Sequence, residues 1–168
     1  MNYAALKPYD IANGPGVRVS LFVSGCTHRC KDCFNQEAWD FDYGKPFDRS
    51  VMEQILDLLA PGYMKGITYL GGEPLDPRNQ AGLLELSRLI KERCPEKSIW
   101  CFTGYVWENL PLVEGVTEEL ISLCDVVVDG PFIAARKNLR LKFRGSENQR
   151  LIDVKKSLEE NQVVLWGE

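Results

Sequence analysis

The sequence predicts an α/β fold: a partial, barrel-like (β/α) arrangement in which an open parallel sheet is joined by helical crossovers. Three observations carry this expectation. Short β-branched and apolar runs alternate along the chain with stretches whose apolar residues recur at helical spacing, the pattern of strand–helix–strand units. The runs are nearly continuously apolar, as strands buried on both faces must be. A complete eight-stranded barrel takes about 250 residues, so a chain of 168 has room for only part of one.

The elements follow in order. Val17-Arg18-Val19-Ser20-Leu21-Phe22-Val23-Ser24 reads as a first strand that stops at Gly25 and feeds a loop. Ser50-Val51-Met52-Glu53 has the capping-box pattern, and Val51, Ile55, Leu58 and Leu59 continue it at helical spacing until Pro61-Gly62. Gly66 to Leu70 is a second strand, closed by Gly71-Gly72. From Asn79 to Arg93, Leu83, Leu86, Leu89 and Ile90 form one stripe of a helix that must end before Pro95. Ser98 to Phe102 is a third strand, Thr117 to Leu123 a short helix, Asp125 to Val128 a fourth strand, and Leu139 to Phe143 a fifth.

With 45% apolar and 26% charged residues, the composition suits one soluble domain spanning 1–168. No run approaches the roughly 18 apolar residues of a membrane span, and no apolar segment opens the chain, so a cytoplasmic home is expected. A net charge of −4 gives no general reason to expect nucleic acid. The charge is uneven, however. Between 136 and 156, Arg136, Lys137, Arg140, Lys142, Arg144, Arg150, Lys155 and Lys156 face only Glu147 and Asp153. This segment reads either as a solvated face or as a docking surface for an acidic partner or phosphates.

Folds of this class place their sites at the C-terminal ends of the strands. Unusual residues collect at those ends here. A cysteine loop follows the first strand, Gly71-Gly72-Glu73-Pro74 the second, Thr103-Gly104-Tyr105 the third and Asp129-Gly130-Pro131 the fourth. The cysteine loop, Cys26-Thr27-His28-Arg29-Cys30-Lys31-Asp32-Cys33, is a C-x3-C-x2-C run holding three of the six cysteines. Cubane clusters are normally held by four thiolates; three on one short loop cap three irons and leave the fourth open to a substrate. The alternative is a zinc knot completed by His28, the single histidine, or by a distant thiol. His28 lies between two of the cysteines, where a fourth tetrahedral ligand would be strained. Cys94, Cys101 and Cys124 are scattered in or beside predicted elements and read as buried apolar thiols. The tryptophans read as packing residues.

Together, the C-x3-C-x2-C loop after one strand and Gly71-Gly72-Glu73-Pro74 after the next resemble the radical S-adenosylmethionine superfamily. That superfamily usually places an aromatic residue just before the last cysteine. Here Asp32 stands there and Phe34 follows Cys33, a departure that matches the branch of activating proteins of anaerobic (class III) ribonucleoside-triphosphate reductase. Asn13-Gly14-Pro15-Gly16, Phe22-Val23-Ser24-Gly25-Cys26, Cys33-Phe34-Asn35 with Trp39, Thr103-Gly104-Tyr105, Val128-Asp129-Gly130 and Arg144-Gly145-Ser146 with Asn148-Gln149 are similar to the same branch. The resemblance extends from about Asn2 to Arg150.

The resemblance implies a radical S-adenosylmethionine type of scaffold and one [4Fe–4S] cluster on Cys26, Cys30 and Cys33. It also implies reductive cleavage of S-adenosylmethionine to methionine and a 5′-deoxyadenosyl radical. The implied partners are the glycyl-radical subunit of the reductase and a flavodoxin or ferredoxin as electron donor. Asp32, Cys33, Phe34, Gly71, Gly72, Glu73, Thr103 and Asp129 become the candidate S-adenosylmethionine contacts. On chemical grounds, a Gly71-Gly72 turn lets backbone approach a ligand closely, and Glu73 could either hold that turn or accept from the methionyl ammonium. Alternatives remain: an activase for another glycyl-radical enzyme, or a zinc- or cluster-bearing structural module.

Overall fold

The computed structural model describes residues 1–33 and 36–167. Seven strands form one open sheet: β1 (Asn2–Asp10), β2 (Val17–Val23), β3 (Lys45–Pro46), β4 (Met64–Gly71), β5 (Ser98–Phe102), β6 (Val126–Asp129) and β7 (Arg150–Asp153). Their spatial order is β3-β1-β2-β4-β5-β6-β7. The central four, β2, β4, β5 and β6, run parallel, while β1, β3 and β7 pair antiparallel at the two edges. The sheet is therefore mixed and not wholly parallel as the sequence predicts. The predicted parallel strands are its centre, and the antiparallel additions are β1, β3 and β7.

Four helices connect or flank the strands: α1 (Arg49–Leu59), α2 (Pro77–Arg93), α3 (Thr117–Ser122) and α4 (Val154–Glu160). α1 starts two residues earlier than the capping-box pattern implies. Asp48, not Ser50, caps it by accepting from the Val51 amide at 3.1 Å; a carboxylate there also meets the positive end of the helix dipole. α2 is capped by Asp76, which accepts from Arg78 N at 2.9 Å, with Pro77 in the first turn and Lys91 and Arg93 in the last.

Strand alternation divides the side chains between two faces. Val19, Leu21, Val23, Ile67, Tyr69, Ile99, Cys101 and Val127 pack against Ile55, Leu59, Leu83, Leu86 and Ile90 of the helices. The opposite face carries Trp100, Val126 and Val128, covered by Phe102, Phe143, Leu151 and Trp166. Buried Arg18 plugs this second face. It donates to Thr68 Oγ1, Ser98 Oγ and the carbonyls of Ile67 and Ser98, and lies over the Trp100 ring. Burial pulls its guanidinium down to about 10, and the carbonyls meet the hydrogen bonds that water would have made.

The segment Leu139 to Phe143 is not a fifth strand. It belongs to a long connection between β6 and β7; Phe143 packs on the second sheet face and Leu139 and Leu141 border the cavity there, without joining a ladder. The fifth parallel neighbour expected there is replaced by antiparallel β7, whose Ile152 pairs with Val127. No described helix is long and apolar enough to cross a membrane.

Candidate active site

The loop after β2 carries Cys26, Cys30 and Cys33, all half-buried. Its backbone is forced into tight turns: Arg29 and Asp32, the residues just before Cys30 and Cys33, have φ of 51° and 58°. Non-glycine residues rarely adopt this left-handed conformation, which costs about 1 kcal/mol or more and persists where the surroundings enforce it. Asp32 is thus placed as a turn residue; it is exposed and does not line the cavity described next.

A cavity of about 540 Å³ opens on the second sheet face at the strand ends. All three cysteines of the loop line it, together with Gly71, Gly72, Glu73, Thr103 and Gly104. Phe22, Leu70 and Phe102 form an apolar floor, and Leu139, Leu141 and Phe143 from the β6–β7 connection close one side. Cys94, Cys101 and Cys124 are buried in the helix-side core, as the sequence predicts.

The glycine rim exists because two strand ends meet there. Gly71 has φ of 106°, and a Cβ on it would sit 2.7 Å from the Val23 carbonyl oxygen. A Cβ on Gly72 would land on the carbonyl oxygen of Gly25. Only with both side chains absent can Gly72 N bond Val23 O at 2.8 Å and Glu73 N bond Gly25 O at 2.7 Å. The glycines therefore seat the rim against the residue that precedes Cys26.

Glu73 is 1% exposed and gathers the rim loops. Its Oε1 accepts from Gly104 N at 2.7 Å and Thr103 Oγ1 at 3.0 Å and lies 2.6 Å from His28 Nε2, while Oε2 accepts from Leu75 N at 2.9 Å. Of the two roles open to Glu73 in the sequence, holding the turn is thus directly visible. Thr103 is occupied likewise: its hydroxyl donates to Glu73 and accepts from Tyr105 N at 3.1 Å. The hydrogen bond to Glu73 holds His28 above the usual histidine range, against burial, which acts in the opposite direction. Burial, foremost, pushes the Cys26 thiol up to about 11.

Asp129 is placed differently from the other candidates. It is 1% exposed and does not line the cavity. Arg150 grips it through Nε at 3.1 Å and a terminal nitrogen at 2.5 Å, and the Trp107 amide donates to it at 2.9 Å. Arg150 also pairs with Glu108 at 2.8 Å. It therefore belongs to a structural ion-pair cluster, not to a free basic face. Phe34, and Asn35 after it, lie outside the described residues.

The residues present fit an iron–sulfur cluster. Among the described residues, no three His, Cys, Asp or Glu side chains converge on one metal-ion position. A tetrahedral zinc needs its sulfur ligands at about 2.3 Å from one point, whereas a cubane takes each thiolate on a different iron. Three thiols that line one cavity without converging on one point suit the second. Across the cavity, Arg144 lines the wall and its buried Nε has no hydrogen-bond partner; a ligand carboxylate or phosphate is the kind of group that would satisfy it. The sequence does not single out Arg144, Phe22, Leu70, Phe102 or Gln149 as lining residues. The one available signal was alternation: Phe22 and Leu70 are register partners on the face opposite the helices.

Residues 12–152 match the model of the 4Fe-4S single cluster domain family. The chain is 42% identical over 151 residues to an anaerobic ribonucleoside-triphosphate reductase-activating protein of Pasteurella multocida, covering 89% of this chain and 95% of that one. It is 40% identical over 153 residues to the protein of that name from Enterobacteria phage T4, covering 90% and 93%. To the Escherichia coli K12 protein of that name it is 41% identical over 151 residues, covering 89% and 96%.

Proposed function

This chain belongs to the family of anaerobic ribonucleoside-triphosphate reductase-activating proteins, and from that premise we propose that it is a radical S-adenosylmethionine activase. It holds one [4Fe–4S] cluster on Cys26, Cys30 and Cys33 and places a glycyl radical on an anaerobic ribonucleoside-triphosphate reductase. The observation that carries this reading is the shared cavity, lined by three thiols and by the glycine rim beside them, with the remaining cysteines buried elsewhere. When bound, the reduced cluster supplies the electron that cleaves S-adenosylmethionine and so generates the hydrogen-abstracting species.

The chain's own residues supply position and dryness. Gly71 and Gly72 bring bare backbone to the cavity beside the cysteine loop, where a methionyl group can approach without meeting a Cβ. Phe22, Leu70 and Phe102 keep the floor apolar and exclude water from a reactive radical. Arg144 offers the orphaned guanidinium nitrogen to an anionic group of the bound cofactor. Cys33 and, in sequence beside it, Phe34 complete the cofactor side, while Asp32 acts through the turn that presents Cys33; Thr103 acts through Glu73, and Asp129 through Arg150. The four parallel strands are read as the partial-barrel core of the radical S-adenosylmethionine scaffold. A flavodoxin or ferredoxin is the proposed donor, and six unpaired cysteines suit the reducing cytoplasm.

Anaerobic reconstitution with iron and sulfide tests the reading. A brown protein with about four irons per chain that releases 5′-deoxyadenosine from S-adenosylmethionine under dithionite is the expected result. Mixed with a candidate reductase, it should give a glycyl doublet in the electron paramagnetic resonance spectrum. A colourless protein without cleavage would overturn the proposal.

A further inference from the structure

His28 sits in sequence between two of the proposed cluster ligands, yet its ring is engaged by the rim. Its Nε2 meets Glu73 Oε1 at 2.6 Å, and its ring packs edge-on against Tyr105, with centroids 4.6 Å apart and planes at 76°. The place it occupies is kept open by a glycine: a Cβ on Gly104 would lie 2.6 Å from His28 Cδ2. The same Glu73 oxygen accepts from Gly104 N and Thr103 Oγ1. One buried carboxylate oxygen thereby joins the cysteine loop after β2, the glycine rim after β4 and the Thr103-Gly104-Tyr105 turn after β5.

We propose that His28 is a positioning residue, a clasp that fixes the cysteine loop relative to the glycine rim so that cluster and rim present themselves to one S-adenosylmethionine molecule. The inference rests on the proposed function, since it takes Cys26, Cys30 and Cys33 as the cluster ligands. The physical basis is local. The loop is short and turns through two left-handed residues, so its own backbone does not set the distance to the rim. Backbone bonds from Gly25 N to Ala38 O, from Cys26 N to Trp39 O and from Glu73 N to Gly25 O fix where the loop starts, on the following segment and on the rim, but none of these reaches past Cys26. Among the described residues beyond Cys26, the His28–Glu73 contact is the side-chain hydrogen bond that joins the loop to the rim. A hydrogen bond to a buried carboxylate is among the stronger ones available, and removing one partner strands the other.

Two variants and two measurements test this. His28→Ala deletes the donor; His28→Gln places an amide N–H at similar reach. Iron per chain is read after reconstitution, and S-adenosylmethionine affinity is read from the change in the reduced cluster's electron paramagnetic resonance spectrum on titration. The alanine variant should keep its iron while its dissociation constant rises about tenfold, roughly what misplacing one oriented contact costs. The glutamine variant should recover to within about threefold of wild type, as a hydrogen-bond clasp requires. Wild-type affinity in the alanine variant, or a glutamine variant as impaired as alanine with iron intact, would overturn the clasp. Should alanine fail to hold iron, the glutamine variant decides alone, in the same terms. A wild-type protein that cleaves no S-adenosylmethionine sinks the proposed function instead, so the two failures are distinguishable.

Discussion

Two groups of cysteines occupy two chemically different places in one small molecule. Cys101 is wholly buried beside Cys124, and contact with that thiol, followed by burial, keeps its own thiol well above the usual range; such a group is inert. Cys26, Cys30 and Cys33 sit at a cavity wall. Replacing any one of these three with Ala should abolish iron binding and cleavage of S-adenosylmethionine. Cys101→Ala should retain about four irons per chain and lose on the order of 1 kcal/mol of stability, a small-volume core change. Iron analysis and urea unfolding of the four variants check both halves; loss of iron on replacing Cys101 would put a ligand in the core. The residue types and spacing of the loop were legible in the sequence because metal ligation is local. Holding the turn was one of two roles the sequence left open for Glu73, but its partners were not legible, because His28 and Thr103 lie 45 and 30 residues away and the parallel register of β2, β4 and β5 brings them to one point.

At the scale of elements, the edges of the sheet account for most of what the sequence concealed. β1 is mostly half-buried or exposed and contains Pro8, so neither alternation nor a continuous apolar run marks it. Leu139, Leu141 and Phe143 alternate like a strand, yet the alternation serves a cavity wall. β7 is four residues long, and Arg150 at its start is held by Asp129 and Glu108. Arg150→Ala would leave Asp129 buried and without its cation, which should cost about 2–4 kcal/mol, below the upper limit for buried pairs because Arg150 is partly exposed. Urea unfolding measures it; a loss under 1 kcal/mol would mean that water replaces the guanidinium. Asp10, which ends β1, accepts from Ala12 N, Asn13 Nδ2 and Ser20 Oγ and so anchors the loop to Gly16. Burial raises its pKa, but those hydrogen bonds and Lys7 outweigh it and the net direction is down. A lowered folded pKa stabilises at pH above the ordinary aspartate value of about 3.9 and ceases to do so as pH falls through the folded value. Wild type should therefore exceed Asp10→Asn in stability at neutral pH, and the gap should close below about pH 4. A gap independent of pH would assign the effect to something other than the carboxylate charge.

Across the whole molecule, the sheet separates two duties: the helix-covered face carries the core, and the other carries a plug of Arg18, Trp100 and Trp166 beneath the cavity. The basic residues clustered late in the sequence divide in the same way. Arg150 is structural and Arg144 lines the cavity, whereas Arg136 and Arg140 are exposed on the connection that walls the cavity through Leu139 and Leu141. Leu139 itself is 87% exposed, so apolar surface and positive charge meet at the mouth through which a protein substrate must reach the radical. A surface that brings a macromolecule to a cavity should act on encounter and complex lifetime and leave the chemistry inside intact. Converting Arg136 and Arg140 together to Gln should weaken the complex with the reductase about five- to tenfold at low salt, with the difference shrinking as ionic strength rises past the screening of exposed charges at about 0.15 M. Cleavage of S-adenosylmethionine without the reductase should stay at the wild-type rate, because neither side chain lines the cavity. Binding measured across a salt series, beside uncoupled 5′-deoxyadenosine release, separates the two effects. Unchanged affinity at low salt would assign these arginines to a solvated face, and leave the entry of the reductase's glycine to the cavity walls alone.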